Sequence, residues 1–269
     1  MSVARVLTFA PMIDSETVRL LLRHYRVDYV EDDRLFGWVS LLTLFHGGYG
    51  RVPLVYGGGF TVSGPLALAQ HCDAALDEPA KLLPTLAPLA ATVMADWQTY
   101  NDGLGTDAAV FAYFHLMPER SLMAPIFAEP VPPGERRALR WAYPFLNALF
   151  TMGLRLSPQR ARDAADGIRR AFDATDRRIA DGRQHLCGDR LTLGDIALAA
   201  AAAPLLLPAG YGAKMPPVDA TPAPMKLLIH ELREHPTAAF VDRFYREQVL
   251  ADDVTPPMES LRTTPAVRS

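Results

Sequence analysis

Cysteine is scarce in this chain: Cys72 and Cys187 are the two among 269 residues. They lie far apart and form no Cys-x-x-Cys, which argues against a thiol-redox motif or structural zinc and fits a reducing cytoplasm. Charge of one sign is lacking too. Lys and Arg number 27 against 30 Asp and Glu, a net charge of −3, so nothing points to nucleic acid or an acidic membrane surface. No apolar run is long enough to span a bilayer; the longest, Ile196 to Leu207, is interrupted by Pro204. The first residues, Met-Ser-Val-Ala-Arg-Val-Leu-Thr-Phe, lack the charged region and apolar core of a secretion signal. What is there is 49% hydrophobic and 21% charged, an ordinary globular composition in a chain large enough for two modest domains or one large one.

The first part of the chain alternates strand and helix signals. Val3 to Phe9 is β-branched and apolar, a buried strand. Asp14 or Ser15 is placed to N-cap a helix running to about Tyr25, with Val18, Leu21, Leu22 and Tyr25 on one face. Tyr29-Val30 marks a second strand, and Leu35 to Phe45 is ambiguous between helix and irregular packing. Val52 to Tyr56, Gly57-Gly58-Gly59 and Phe60-Thr61-Val62 read as a hairpin, and Pro65 to Ala75 as a helix with proline at a first-turn position. Residues 1–76 therefore form a small mixed domain. Residues 77–88, with Pro79, Pro84 and Pro88, read as a linker.

Beyond the linker no strand-like alternation survives. Leu89 to Phe114 is helical with a break expected at Gly103-Leu104-Gly105, and Leu116 to Pro133 reads as proline-rich loop. Glu135 to Leu156 and Pro158 to Ile179 are amphipathic helices. A segment from Leu191 to Pro208 follows that is apolar on every side, hence a helix buried all round. Thr192 and Asp195 begin it as a capping-box pair: the hydroxyl accepts the Asp195 N–H and the carboxylate reaches back to the Thr192 N–H. Two short helices, near 225–234 and 236–249, complete an all-helical domain over 89–250, and 251–269 reads as a disordered tail.

This order of elements resembles the soluble glutathione transferase superfamily, and two motifs carry the likeness. Val52-Pro53 opens the strand-turn-strand. Gly188-Asp189-Arg190-Leu191-Thr192-Leu193-Gly194-Asp195-Ile196 is close to the family's Gly-Asp-x-x-Thr-x-Ala-Asp-Ile signature for its buried C-domain helix. Glu234 to Val241 looks like a divergent bacterial branch. The resemblance, over about residues 3–250, implies an α+β protein with a thioredoxin-like N-terminal domain and an all-α C-terminal domain. It also implies glutathione as cosubstrate, a small-molecule electrophile, a cytoplasmic location and a homodimer.

Carried over residue by residue, the resemblance also implies a site. Pro53 would be cis and expose the Val52 backbone to the cysteinyl part of glutathione. The family's Glu/Gln-Ser pair that holds the γ-glutamyl carboxylate falls on Gly64-Pro65, with Ser63 before it; the hydroxyl and one N–H are lost at Pro65. The serine or cysteine that favours the thiolate falls on Met12, and the tyrosine of other classes near Thr8 or Phe9. Met12 and Phe9 cannot donate to sulfur. Ser15 is the substitute candidate for the catalytic hydroxyl, its plainer role being to cap the helix. Met12, Trp97, Tyr100 and Tyr113 would line the electrophile pocket, although aromatics at helical spacing are more often core. Asp96 and Asp102 could face a partner's site, or be surface charge. His46 and His71 have no partner spacing for a metal. Two readings follow: a divergent transferase, or a transferase-like binding or scaffold protein that has lost turnover.

Overall fold

The computed structural model describes residues 3–254, with side chains to 248. The first strand, β1 (Ala4–Thr8), leads into α1 (Ile13–His24), β2 (Tyr29–Asp33), α2 (Trp38–Leu44), the hairpin β3 (Leu54–Gly57) and β4 (Phe60–Ser63), and α3 (Pro65–Asp73). The strands form one mixed sheet in the order β2-β1-β3-β4, with β1 parallel to β2 and antiparallel to β3. Gly57, Gly58 and Gly59 all turn at positive φ, which is why three glycines make this hairpin. Leu7 pairs Leu54, and Leu54 pairs Ser63. The end of β1, the Val52-Pro53 start of the hairpin and the β4–α3 junction therefore meet at one sheet end.

Helices follow: α4 (Ala87–Trp97), a π-helical turn (Gln98–Leu104), α5 (Gly105–Leu116), α6 (Arg120–Ala128), α7 (Pro133–Gly153), α8 (Pro158–Ile179), α9 (Leu193–Leu206), α10 (Ala223–Arg233) and α11 (Pro236–Val254). All fourteen residues of α9 are buried, against α1, α4, α5, α10 and α11. Both halves of its capping box form: the Asp195 carboxylate accepts the Thr192 N–H at 2.9 Å and also the Leu186 N–H at 2.7 Å. Gly194 is needed because a Cβ there would lie 2.7 Å from that of Asp96 on α4. Asp96 is itself held by a forked pair with Arg178.

Four expectations change. Met12, not Asp14 or Ser15, occupies the N-cap position of α1: after the Phe9–Met12 turn Met12 is extended, and helical geometry begins at Ile13. Arg120–Ala128 is helix rather than proline-rich loop. Proline in a helix costs about 3 kcal/mol, but burying Met123, Ile126 and Phe127 returns about 2 kcal/mol each, which outweighs the loss at Pro125. At Gly103 to Gly105 the helix widens into a π-turn instead of breaking. Residues 251–254 of the expected tail belong to α11, and 255–269 lie outside the described residues. Among the described residues no helix is long and apolar enough to cross a membrane.

Candidate functional site

A cleft of about 520 Å3 lies between the start of α1 and the helices α5, α7 and α9. Its floor is apolar, built from Phe36, Leu116, Met123, Tyr113 and Phe150, and Met12 and Met215 complete the rim. Phe150 packs against Phe36 and Tyr113 with ring centres 4.8 and 4.4 Å apart, so the aromatic wall is fixed. The volume and apolar lining suit a small hydrophobic molecule.

The α1 end of the cleft is locked from beneath. Glu16, fully buried, accepts from Arg19 at 3.0 Å, from the Tyr245 hydroxyl at 2.9 Å and from the Gly212 N–H at 3.1 Å. Arg19 also donates to the Ala10 carbonyl and to Glu31. These bonds tie the 9–12 turn, β2, the loop after α9 and α11 to one helix. At the half-buried start of α1, the Ile13 and Asp14 N–H groups have no backbone acceptor among the described residues, as is usual for first-turn amides.

Of the residues singled out from the sequence, Met12 and Tyr113 line this cleft. Tyr113 is the better placed, its hydroxyl donating to the Pro11 carbonyl at 3.4 Å. Trp97 and Tyr100 do not line it: both are buried, and the Tyr100 hydroxyl bonds Thr175 on α8. Trp97 ends α4, which packs on α9, and Tyr100 lies in the π-turn, which packs on α8 and α9. Ser15 has no solvent exposure, and its hydroxyl donates to the Phe9 carbonyl at 3.0 Å and meets Thr8, so it points toward the end of β1 and away from the cleft.

The other expected site residues share the adjoining sheet end. The Val52-Pro53 bond is cis. The Pro53 carbonyl accepts the Gly64 N–H at 2.9 Å, which closes the hairpin onto the start of α3. Gly64 takes the cap position there at φ 81°, with Pro65 next, so Ser63 does not cap the helix; its hydroxyl leans on the Gly48 carbonyl at 3.5 Å.

Asp14, expected as a helix cap, and Asp102, expected to face a partner's site or to be surface charge, both line the cleft, and Asp102 is exposed there. Burial and the charge of Asp102 push Asp14 up to about 6. Asn101, beside them, donates to Asp102 at 3.1 Å and leaves its own buried Oδ1 without a partner. Nothing in the linear spacing joins residue 14 to residues 101 and 102. The two histidines stack instead on aromatics, His46 on Tyr56 and His71 on Phe60. Asp173, Asp176 and His235 gather on α8 and at the start of α11. There Asp176 already accepts the Thr237 N–H and hydroxyl and contacts the His235 ring.

Comparison with known proteins agrees with this architecture. Residues 158–223 match the family model described as "Glutathione S-transferase, C-terminal domain". No curated protein matches the sequence. Among solved structures, a glutathione S-transferase of Methylobacillus flagellatus with glutathione bound is 16% identical at a TM-score of 0.55, covering 94% of this chain and 99% of its own. One from Ceriporiopsis subvermispora, in complex with glutathione, is 14% identical at 0.58, covering 95% and 100%. A third, from Rhodospirillum rubrum, is 18% identical at 0.54, covering 96% and 98%. At these identities the likeness shows the fold: a thioredoxin-like N-terminal domain followed by an all-helical C-terminal domain. The family-model match and the shared fold are consistent with a divergent member of the glutathione transferase superfamily.

Proposed function

We propose that this is a glutathione S-transferase-like protein. Glutathione lies along the sheet end made by Val52, Pro53, Ser63 and Gly64, and its sulfur faces the cleft beside Met12, where a small hydrophobic electrophile docks. The observation that carries the reading is the apolar cleft opening at the start of α1, where two backbone N–H groups are free. Unpaired amides at a helix N-terminus favour an anion, here a thiolate, where no side-chain hydroxyl is in reach. Two of the structural relatives hold glutathione, which supports the choice of thiol.

A second reading, a binding or scaffold protein without turnover, has its own support. The Ser15 hydroxyl is committed inside the domain, and the Asp14 carboxylate beside the free amides opposes a thiolate. Turnover of 1-chloro-2,4-dinitrobenzene with glutathione, by wild type and Ser15→Ala, separates the two. An enzyme gives a rate above the uncatalysed one that is retained per folded molecule in Ser15→Ala. Glutathione binding without turnover assigns the scaffold role, and neither binding nor turnover overturns both readings.

The same reading implies a cytoplasmic protein acting as a homodimer. Trp38, Leu41, Leu44 and Phe45, more than half exposed on and after α2, supply an apolar face that suits association. Sedimentation at twice the 29.5 kDa chain mass supports it, and a monomer at micromolar concentration contradicts it.

A further inference from the structure

The cleft is apolar almost throughout, and its charge has one sign. Asp14 and Asp102 line it, while no lysine, arginine or histidine does among the described residues. The two carboxylates are close enough to interact, and Asn101 is hydrogen-bonded to one of them. The Asp14 carboxylate makes no hydrogen bond to another described residue, and the buried Asn101 Oδ1 has no partner. The Asp14 carboxylate and the buried Asn101 Oδ1 thus stand at the cleft with no donor from the described residues, and the exposed Asp102 beside them accepts from Asn101. A buried acceptor without a donor is costly, and two neighbouring carboxylates at an apolar cleft repel each other. A neutral or anionic ligand would cover these groups without satisfying them. A cation with N–H donors would satisfy all three.

We propose that the cleft selects apolar amines, with the hydrocarbon body against Phe36, Tyr113 and Phe150 and a protonated nitrogen donating to Asp14, Asp102 and the Asn101 carbonyl. That the second substrate is an electrophile carrying such an amine group rests on the transferase-like reading. The binding itself needs no glutathione, so the two stand or fall separately. The aromatic wall gives affinity to any flat hydrocarbon; the acceptors decide which head group is favoured.

The test uses the full chain and three probes of one shape: 1-naphthylmethylammonium, 1-naphthylmethanol and 1-naphthoate, titrated at pH 7.5 without glutathione. The ammonium should bind about tenfold tighter than the alcohol, as for a partly enclosed ion pair, with the carboxylate weakest. Asp14→Asn and Asp102→Asn keep side-chain shape. Each should reduce the ammonium's advantage while leaving alcohol binding intact, which also reports that the cleft is still folded. Ala109→Phe, which fills the cavity, should weaken all three probes. The proposal is overturned if the alcohol equals the ammonium, if the carboxylate binds best, or if no probe binds. It is also overturned if the ammonium preference is undiminished in both asparagine variants or survives Ala109→Phe. Glutathione binding alongside any of those results leaves the transferase-like reading standing.

Discussion

Replacing Asp195 with alanine removes an acceptor that three buried donors share. The Thr192 N–H and hydroxyl both reach one carboxylate oxygen at 2.9 Å, and the Leu186 N–H reaches the other at 2.7 Å. The hydroxyl can rotate to another acceptor, but the two amides cannot. Each stranded buried amide costs about 1–3 kcal/mol. The variant also escapes the expense of burying a carboxylate, the effect that raises the pKa of Asp195. We therefore expect a net loss of about 3 kcal/mol. In a chain of this size that corresponds to a fall of roughly 6–10 °C in Tm. Asparagine should not rescue it, because its amide would set a donor against a donor at one of the two oxygens. Urea unfolding followed by circular dichroism, with thermal scans of the same variants, measures this. A loss below about 1 kcal/mol for alanine, or full stability for asparagine, would refute the assignment of Asp195 as the acceptor that starts α9.

Gly194→Ala should destabilise although alanine is worth about 1 kcal/mol more than glycine within a helix. The added Cβ would sit 2.7 Å from the Asp96 Cβ, which is no flexible side-chain tip, so α4 and α9 must move apart. A net loss of about 1–2 kcal/mol is expected; equal or higher stability in urea would contradict the close approach. Asp14 and Asp33 are pushed up to about 6 and about 7, each mainly by burial. A folded-state pKa above the unfolded one means the native state holds protons that the unfolded chain has released. Stability should therefore fall as pH rises from about 4 to about 7 on their account, and level off above. Asp14→Asn should flatten that slope when urea midpoints are compared at pH 5 and pH 7.5, and an unchanged slope would contradict its burial.

The fold was legible where one signal ruled a segment. The unbroken apolar run after Thr192 could only be a buried helix, and three consecutive glycines between β-rich runs could only be a tight turn. Prolines misled, because local propensity said loop at Pro125 while the tertiary burial of Met123, Ile126 and Phe127 decided for helix. The site was legible in part, for the same reason. Met12 and Tyr113 line the cleft, while Trp97 at the end of α4 and Tyr100 in the π-turn are buried and Ser15 bonds the Phe9 carbonyl. The meeting of Asp14 with Asp102 depends on packing α1 against Gly105, a contact that no spacing within one helix encodes.

Glutathione titrated calorimetrically into wild type and Pro65→Ser tests the central claim most directly. At the first position of α3, proline withholds an N–H and a hydroxyl that would meet the γ-glutamyl carboxylate on the transferase-like reading. The account predicts saturable binding to the wild type at or below millimolar glutathione, tightened several-fold in Pro65→Ser. No binding to either protein at millimolar glutathione would contradict it.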